Sequence, residues 1–391
     1  MDGPHDPART ARPPQFVGSD IYRISTHGSG HPLAIPRVSL AIDLCRTLGW
    51  LSDAVYHDCP PARPEEIARY HDRAYVDAVI AAERDQDIPK DVRLRHNIGI
   101  NGHPIYAEMF RRPATACGGS IMSAGLLTEP GIIYHPAGGT HHGQPARASG
   151  FCTFNDPVLA ILAFLDGGLT RVFYLDLDAH FGDGVQAAFT DDERVFTLSI
   201  HEAGRWPMAR GAGIDDGVGS LGDRGGGRSR NLPVPEGFND VELEYLVETV
   251  VVPSITEFAP DALVVQGGCD ALADDPMTRL ALSNTAFWRT VATLRSMAPR
   301  FLMLGGGGYN PYAVGRCWAG NWAALNGFAV PERLPEEAES ILRSVTWNHR
   351  RGRTPPEHWF TSLADAPRLG PLRAEIRELA AGALMPAGRR R

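Results

Sequence analysis

The stretch that decides the fold spans residues 172–186, Val-Phe-Tyr-Leu-Asp-Leu-Asp-Ala-His-Phe-Gly-Asp-Gly-Val-Gln. An apolar run typical of a buried strand leads into three carboxylates and one imidazole within eight residues. Burying several carboxylates together without a cation is costly in free energy. Because Asp176, Asp178 and His180 alternate along the chain, an extended segment projects them to one side. The stretch therefore predicts a metal site at the end of a buried strand.

The sequence around this stretch alternates apolar runs with segments of helical spacing. Strands are predicted at residues 132–134, 171–178, 195–201, 262–266 and 301–304. Helices are predicted at residues 35–51, 64–83, 105–112, 114–127, 157–165, 240–258, 279–297 and 311–325. Such alternation predicts an α/β fold, a single domain with a mainly parallel central β-sheet flanked by helices on both faces.

The chain shows no internal repeat and no clear linker. Residues 1–15 are rich in proline and arginine and are predicted to be disordered. Residues 16–330 are predicted to form one catalytic domain, and the charged, proline-rich residues 331–391 to pack on its outside. Residues 211–230, dominated by glycine, aspartate and arginine, are predicted to form a loop.

The composition is that of a soluble globular protein, with 43% hydrophobic and 21% charged residues among 391. A formal net charge of -8 argues against binding nucleic acid through bulk charge. The chain starts with a polar, proline-rich stretch unlike a signal peptide, and no segment approaches the roughly 18 apolar residues of a membrane span. Its six cysteines are widely spaced without a Cys-x-x-Cys pair. We therefore expect a cytoplasmic protein with reduced thiols that binds neither nucleic acid nor membrane.

Polar clusters follow each of the main predicted strands. His141 and His142 follow the first of these strands, Asp270 follows residues 262–266, and a run of four glycines with Tyr309 follows the last. In parallel α/β sheets, ligands bind at the carboxyl ends of the strands. We therefore expect these separate motifs to converge on one site.

Five segments resemble a known family, the zinc-dependent deacetylases of the histone deacetylase and acetoin-utilisation type. The segments are Ala137-Gly-Gly-Thr-His-His142, Ser149-Gly-Phe-Cys-Thr-Phe-Asn155, Asp176-Leu-Asp-Ala-His-Phe-Gly-Asp183, Gln266-Gly-Gly-Cys-Asp270 and Gly305-Gly-Gly-Gly-Tyr309. They occur in the family's order, and the likeness extends over roughly residues 20–330. The resemblance implies the arginase–deacetylase fold and a hydrolase that removes acetyl or related short acyl groups from lysine-like amines.

By position, the resemblance implies that Asp178, His180 and Asp270 bind one zinc ion. Three protein ligands leave a position for water and substrate, as in catalytic zinc sites. Two oxygen ligands also leave Fe2+ or Co2+ open as the metal. The structural alternative is a buried ion pair or a capped loop at Asp178 and His180.

The resemblance further implies that His142 is the general base, which takes a proton from water and later helps to protonate the leaving amine. His141 is its electrostatic and hydrogen-bonding partner. Asp176 and Asp183 match the carboxylates that orient the two imidazoles, which fixes their tautomers and raises their basicity. Tyr309 matches a hydroxyl donor to the developing oxyanion, worth about 3–4 kcal/mol in other enzymes. A capping aromatic after a flexible turn is its structural alternative.

Two further groups of residues are assigned by resemblance. The walls of a narrow acyl-lysine tunnel are matched by Gly150, Phe151, Trp206, Gly307 and Gly308, although Trp206 also fits core packing. A structural potassium ion (K+) is implied near Asp176, Asp178, His180, Ser199 and Ile200.

The sequence departs from histone-directed members in an early loop, where they carry an acid that binds the substrate backbone. Residues 99–104, Gly-Ile-Asn-Gly-His-Pro, contain no acid, and Asn101 or His103 takes its place. This weakens the expectation of a histone-tail substrate. An acetylpolyamine or another small acetylated metabolite is therefore an alternative substrate, although neither the inserted loop nor the dimerisation of polyamine-specific relatives is apparent in the sequence.

Two more distant functions share this fold. Ureohydrolases such as arginase bind two manganese ions through additional carboxylates, but Gly182 and Gly268 stand at those positions. A non-catalytic acyl-lysine-binding module would be expected to lack Tyr309 or one of the two adjacent histidines, and all three are present. The sequence therefore favours a one-metal deacylase over both.

Overall fold

The computed structural model describes residues 12–28, 30–208 and 217–385. Residues 1–11, most of the segment predicted to be disordered, lie outside this description. So do residues 209–216, which include the start of the predicted loop over residues 211–230. No helix in the described part of the chain is both long and apolar enough to cross a membrane.

One eight-stranded sheet forms the centre of the protein. Its strands are β1 (Gln15–Gly18), β2 (Tyr56–Asp58), β3 (Gly131–His135), β4 (Val172–Asp176), β5 (Val195–Glu202), β6 (Ser229–Val234), β7 (Ala262–Gln266) and β8 (Arg300–Leu304). Their order across the sheet is β2-β1-β3-β8-β7-β4-β5-β6, and every neighbouring pair is parallel. The predicted parallel α/β fold is confirmed.

Helices connect these strands and continue beyond the sheet. They are α1 (Ile21–Ile24), α2 (Val38–Thr47), α3 (Pro64–Ile67), α4 (Arg73–Asp85), α5 (Lys90–His96), α6 (Arg111–Leu126), α7 (Asp156–Asp166), α8 (Asp183–Ala188), α9 (Asp240–Leu246), α10 (Val252–Phe258), α11 (Asn284–Leu294), α12 (Pro311–Asn326), α13 (Glu336–Ser344), α14 (His358–Thr361) and α15 (Ala374–Leu384). A π-helical turn at Val247–Val251 joins α9 to α10, so the predicted helix over residues 240–258 is continuous.

Apolar side chains cover both faces of the sheet. On β4, Phe173 and Leu175 belong to one buried cluster, and Val172 and Tyr174 to another. This division follows from the alternation of side chains along a strand. Because both faces are covered, the carboxyl edge of the sheet is the place where polar groups can meet a ligand.

Three predicted helices do not match the helices of the structure one for one. The predicted helix over residues 64–83 is broken into α3 and α4, because the Asp72 N–H donates to the Pro145 carbonyl at 2.8 Å instead of continuing the first helix. The predicted helices over residues 105–112 and 114–127 are a turn followed by α6 alone. Glu83 accepts hydrogen bonds from the Phe110 and Arg111 N–H groups and so fixes where α6 begins.

The edge strands β2 and β6, and β1 next to β2, were not predicted. The segment predicted to be disordered therefore ends too late, since Gln15 already pairs with Ile133 of β3. The predicted loop over residues 211–230 likewise runs into β6, which starts at Ser229. Strands β1 and β2 have only four and three residues, and β6 begins with polar residues, so only their pairing with neighbouring strands makes them recognisable.

Residues after 330 pack against the sheet's large apolar cluster. Helix α13 contributes Ala338 and Leu342, and α15 contributes Ile376 and Leu379, all buried. Arg316 of α12 forms a buried ion pair with Asp365 at 2.6 Å, which ties this segment to the domain.

Candidate metal centre and catalytic site

The motifs that follow four strands converge at the carboxyl edge of the sheet. Strands β4 and β7 are adjacent, with Asp176 opposite Gln266. Asp178 and His180 follow β4, and Asp270 follows β7. Strand β8 lies on the other side of β7 and leads into Gly305 and its glycine run. Convergence of these motifs on one site was expected from the topology, and the structure shows it.

Asp178, His180 and Asp270 form a group whose ligand atoms all lie within 4.8 Å of one another. His180 Nδ1 is 2.9 Å from Asp270 Oδ2 and 3.3 Å from Asp178 Oδ1. All three side chains are buried. Two carboxylates and one imidazole are a donor set that divalent transition metals accept.

The electrostatics of this group favour a positive charge between the carboxylates. Burial opposes the charge of His180, but hydrogen bonds to Asp178 and Asp270 outweigh it and raise the pKa of His180 to about 10. Burial and the charge of Asp178 raise the pKa of Asp270 to about 6. A metal cation supplies the same positive charge in place of the proton, because a ligating histidine must be neutral.

Glycines leave the space that the ligands occupy. A β-carbon on Gly268 would overlap Asp178 Oδ2, and one on Gly307 would overlap Asp270 Oδ2. The Gly307 N–H also donates to Asp178 Oδ2 at 2.7 Å. The described residues therefore fit a single metal ion at Asp178, His180 and Asp270.

The two adjacent histidines lie beside this group and are each held by a carboxylate. His141 Nδ1 donates to Asp176 Oδ2 at 2.7 Å, and His142 Nδ1 donates to Asp183 Oδ1 at 2.7 Å. The two ring centroids are 3.9 Å apart. Each hydrogen bond leaves the Nε2 of its imidazole available for chemistry.

Their surroundings separate the pKa values of the two histidines. Burial lowers the pKa of His141, but the charges of Asp176 and Asp178 outweigh it and raise the pKa to about 9. Burial and the neighbouring charge of His141 lower the pKa of His142 to about 4, despite its hydrogen bond to Asp183. The two imidazoles therefore differ in proton affinity, and His142 is the one that is neutral at pH 7 and able to accept a proton.

Tyr309 lies at the end of the glycine run, with its ring centroid 6.0 Å from that of Phe151. Its N–H donates to Asp275 Oδ2 at 2.7 Å, so a buried carboxylate fixes the backbone at this residue. Burial and the charges of Asp270 and Asp178 raise the pKa of Tyr309 well above its usual value. The phenol therefore stays protonated and is able to donate a hydrogen bond.

A groove of about 1100 Å³ reaches this site and is lined by His142, His180 and Tyr309. Phe151 and Trp206 form part of its walls, and the Trp206 ring lies edge-to-face against His142 at 4.7 Å. Gly150, next to Phe151, has a backbone φ of +54°. A β-carbon there would overlap the rings of His142 and Trp206.

The remaining predicted positions have a clear place in the fold. Gly307 lines a small inner cavity beneath the groove, whereas Gly308 packs against Cys269 and Val314. In the potassium prediction, Ser199 lies opposite Asp176 in the parallel register, and its hydroxyl is 2.8 Å from His201 Nδ1.

Sequence reasoning missed three residues that support the site: Asp156 and Asp275, which are buried, and Arg37, which is half-buried. Asp156 accepts hydrogen bonds from the N–H groups of Gly139 and Thr140, at 3.0 and 2.7 Å, and so holds the turn before the histidines. Arg37 donates to the Gly306 carbonyl at 2.7 Å. Asp275 holds Tyr309. In the sequence, each of these residues is simply a charged residue next to an apolar segment. That position does not reveal the distant backbone group to which the side chain binds.

The loop that carries Asp275 is itself held from the far end of the chain. Arg351 donates to the carbonyl of Asp274 at 2.9 Å and to that of Asp275 at 3.2 Å. Trp359 Nε1 donates to Asp274 Oδ2 at 3.0 Å. A continuous series of hydrogen bonds therefore connects residues 351–359 to the backbone of Tyr309.

Comparison with known proteins agrees with this geometry. The sequence profile described as the histone deacetylase domain matches residues 31–325. The chain belongs to the histone deacetylase family. The predicted family is thereby confirmed, and the metal group and both histidines lie inside the matched region of this family member.

Individual relatives of this family member come from bacteria and eukaryotes. Histone deacetylase 1 of Homo sapiens is 32% identical over 317 residues, which are 79% of this chain and 64% of that protein. The acetoin utilization protein AcuC of Bacillus subtilis (strain 168) is 31% identical over 335 residues, 82% of this chain and 84% of that one. The chain thus spans less than two thirds of the human relative's length.

Solved structures show the same architecture. A crystal structure of an HDAC homolog complexed with SAHA superposes with a TM-score of 0.88 at 32% identity, covering 95% of this chain and 100% of that one. The crystal structure of an HDAC homolog from Aquifex aeolicus gives the same values. The predicted arginase–deacetylase fold is therefore confirmed for this family member.

Proposed function

We propose that this protein is a zinc-dependent deacylase that removes acetyl or other short acyl groups from lysine-like amines. The observation that carries the proposal is that one groove exposes His142, His180 and Tyr309 together, above a buried group able to hold a single metal. The deacetylases among the relatives support the same reaction class.

Asp178, His180 and Asp270 would hold the zinc, which when bound acts as a Lewis acid on the acyl carbonyl. His142 takes the proton of the attacking water at Nε2, because Asp183 holds the Nδ1 proton in place. His141, whose Nδ1 is held by Asp176, is the electrostatic and hydrogen-bonding partner of His142. Tyr309 donates its hydroxyl to the acyl carbonyl oxygen, and His142 returns its proton to the leaving amine.

The two-manganese alternative meets a steric obstacle. A β-carbon on Gly182 would overlap Asp176 Oδ2, and one on Gly268 would overlap Asp178 Oδ2. Neither position has room for the extra carboxylate that a second metal needs. We therefore propose one metal, with Fe2+ or Co2+ as the alternatives to zinc, and a structural potassium near Ser199.

We place the reaction in the cytoplasm. All six cysteines are buried and unpaired, as is usual in reducing compartments.

The proposal is tested with metal-loaded protein and a fluorogenic acetyl-lysine substrate. We expect turnover that His142→Ala reduces about 10²–10⁴-fold, because general-base catalysis contributes that much. His57→Ala, which changes a histidine on edge strand β2, is the matched control and should retain full activity. Full activity of His142→Ala, or two equivalents of manganese per active chain, would contradict the proposal.

A further inference from the structure

Six side chains that carry full charges line the groove above the metal site: Asp183, Glu202, Glu236, Arg147, Arg205 and Arg279. Five of the six have a fixed partner. Asp183 accepts from His142 and, at 3.1 Å, from Gln144. Glu202 pairs with Arg205, and Glu236 pairs with Arg279 at 3.0 Å.

Arg147 is the exception. It is exposed on the groove wall, and within the described part of the chain no carboxylate forms an ion pair with it. The three acids of the groove lining, Asp183, Glu202 and Glu236, are already engaged with other side chains. Among the described residues, its guanidinium is therefore a positive charge on the groove wall without a fixed counter-charge.

The backbone around Arg147 is held firmly. Gln144 and Arg147 face each other across a tight turn, with the Gln144 N–H donating to the Arg147 carbonyl at 3.1 Å. On either side of Arg147, His96 donates through Nδ1 to the Ala146 carbonyl at 2.6 Å, and Asn97 donates to the Ala148 carbonyl at 2.9 Å. The side chain thus extends from a fixed point of the groove wall.

The polar groups beside Arg147 do not oppose its charge. Asn97 and Asn101 are joined by a hydrogen bond of 2.8 Å, and both line the groove. Burial lowers the pKa of the neighbouring His103 to about 4, so this imidazole is neutral at pH 7. This side of the groove therefore combines one cation with neutral amides.

We propose that Arg147 selects, among acylated amines, those that carry a carboxylate close to the acylated side chain. The inference rests on the deacylase function proposed above and names its substrate class. A guanidinium binds a carboxylate through two parallel hydrogen bonds, which adds orientation to attraction. Cationic substrates, such as acetylpolyamines and acetyl-lysine flanked by lysine or arginine, meet like charge at the same place.

The size of the effect follows from the exposure of Arg147. Ion pairs in contact with water contribute modestly, so one change of charge on the substrate should alter kcat/KM about two- to fivefold. Such pairs are screened by salt, whose Debye length falls to about 3 Å at 1 M. The preference should therefore shrink at high salt while turnover of a neutral substrate persists.

The experiment measures kcat/KM of metal-loaded protein for three acetyl-lysine peptides that differ only in flanking Glu, Gln or Lys. We expect the order Glu, Gln, Lys for the unchanged protein, a flat series for Arg147→Gln and a reversed series for Arg147→Glu. Arg289→Glu, which changes an exposed arginine of α11 away from the groove, is the matched control and should keep the original order.

Two further arms identify the source of the carboxylate. Nε-acetyl-lysine with a free α-carboxylate is compared with its α-amide. A preference for the free acid that Arg147→Gln removes indicates a small-molecule substrate, whereas a preference confined to the peptide series indicates an acidic protein segment. Either result supports the inference.

An unaltered charge preference in Arg147→Glu, with the Gln-flanked peptide still turned over, would overturn the role of Arg147 alone. Absence of turnover in every arm, with metal bound, would overturn the deacylase function and this inference with it. The two failures are therefore distinguishable.

Discussion

The floor of the groove and its rim differ in how firmly their side chains are held. In the floor, Asp178, His180 and Asp270 are buried and within hydrogen-bonding distance of one another or of backbone N–H groups. On the rim, Trp206 is 48% exposed and Arg147 forms no ion pair within the described residues. The contrast fits a division in which the floor carries out the proposed reaction and the rim selects its substrate.

The largest effect is expected in the floor. Asp178→Asn replaces an anionic ligand by a neutral amide, so metal affinity and activity should fall by more than the roughly 10–100-fold that loss of an outer-shell partner costs. Metal content per chain after gel filtration checks this directly. A variant that keeps one equivalent of metal and normal turnover would remove Asp178 from the ligand set.

A second floor variant separates chemistry from metal binding. Tyr309→Phe removes one hydroxyl, so kcat should fall about 10²–10³-fold, the usual cost of losing an oxyanion donor. Metal content should not change, because Tyr309 is not among the ligands. Equal losses of kcat and of metal would instead assign Tyr309 a structural role.

The pH dependence of stability tests how the floor is supported. Buried His71 accepts from the Asn155 N–H and donates to the Gln144 carbonyl, both at 2.9 Å. Burial lowers its pKa from 6.5 to about 4. A depressed histidine pKa means that the unfolded chain binds more protons between these values. Stability should therefore be complete above pH 6.5 and fall towards pH 4, by roughly 3 kcal/mol from this residue.

Chemical denaturation at several pH values, compared between the unchanged protein and His71→Gln, isolates this contribution. Other buried histidines titrate in both proteins and cancel in the difference. Equal slopes between pH 6.5 and 4 would show that His71 does not carry the effect.

The smallest effect is expected on the rim. Trp206→Ala removes an aromatic wall in contact with His142, so KM should rise about two- to tenfold, the usual value of an aromatic contact. Metal content should stay at one equivalent. Phe328→Ala, an exposed aromatic away from the groove, is the control. A loss of kcat as large as that of Tyr309→Phe would erase the distinction between rim and floor.

The parts of the molecule that the sequence could predict are those determined by local patterns. The central strands β3, β4, β7 and β8 are uninterrupted apolar runs, and the polar residues of the metal centre follow β4 and β7 directly. These features are local, so the fold class and the convergence of the motifs could be predicted. The family resemblance then implied which of these residues bind the metal, Asp178 and His180, and which orient the adjacent histidines, Asp176 and Asp183.

What could not be predicted depends on distant partners. Strands β1, β2 and β6 are short or partly polar, and they acquire their conformation from a neighbouring strand. Asp156 and Asp275 act on backbone N–H groups 16 to 34 positions away, and nothing in their own surroundings announces these partners. That Arg147 has no ion-pair partner among the described residues can be seen only once the partners of the other groove residues are known.

The hydrogen bonds from Arg351 and Trp359 to the Asp274–Asp275 loop have a practical consequence for anyone who dissects this protein. The family profile ends at residue 325, which invites a cut there when a minimal domain is designed. Such a fragment would keep every proposed metal ligand and both adjacent histidines but lose the anchors of the loop on which the backbone of Tyr309 rests. The family profile therefore ends before the last residues that support the proposed site.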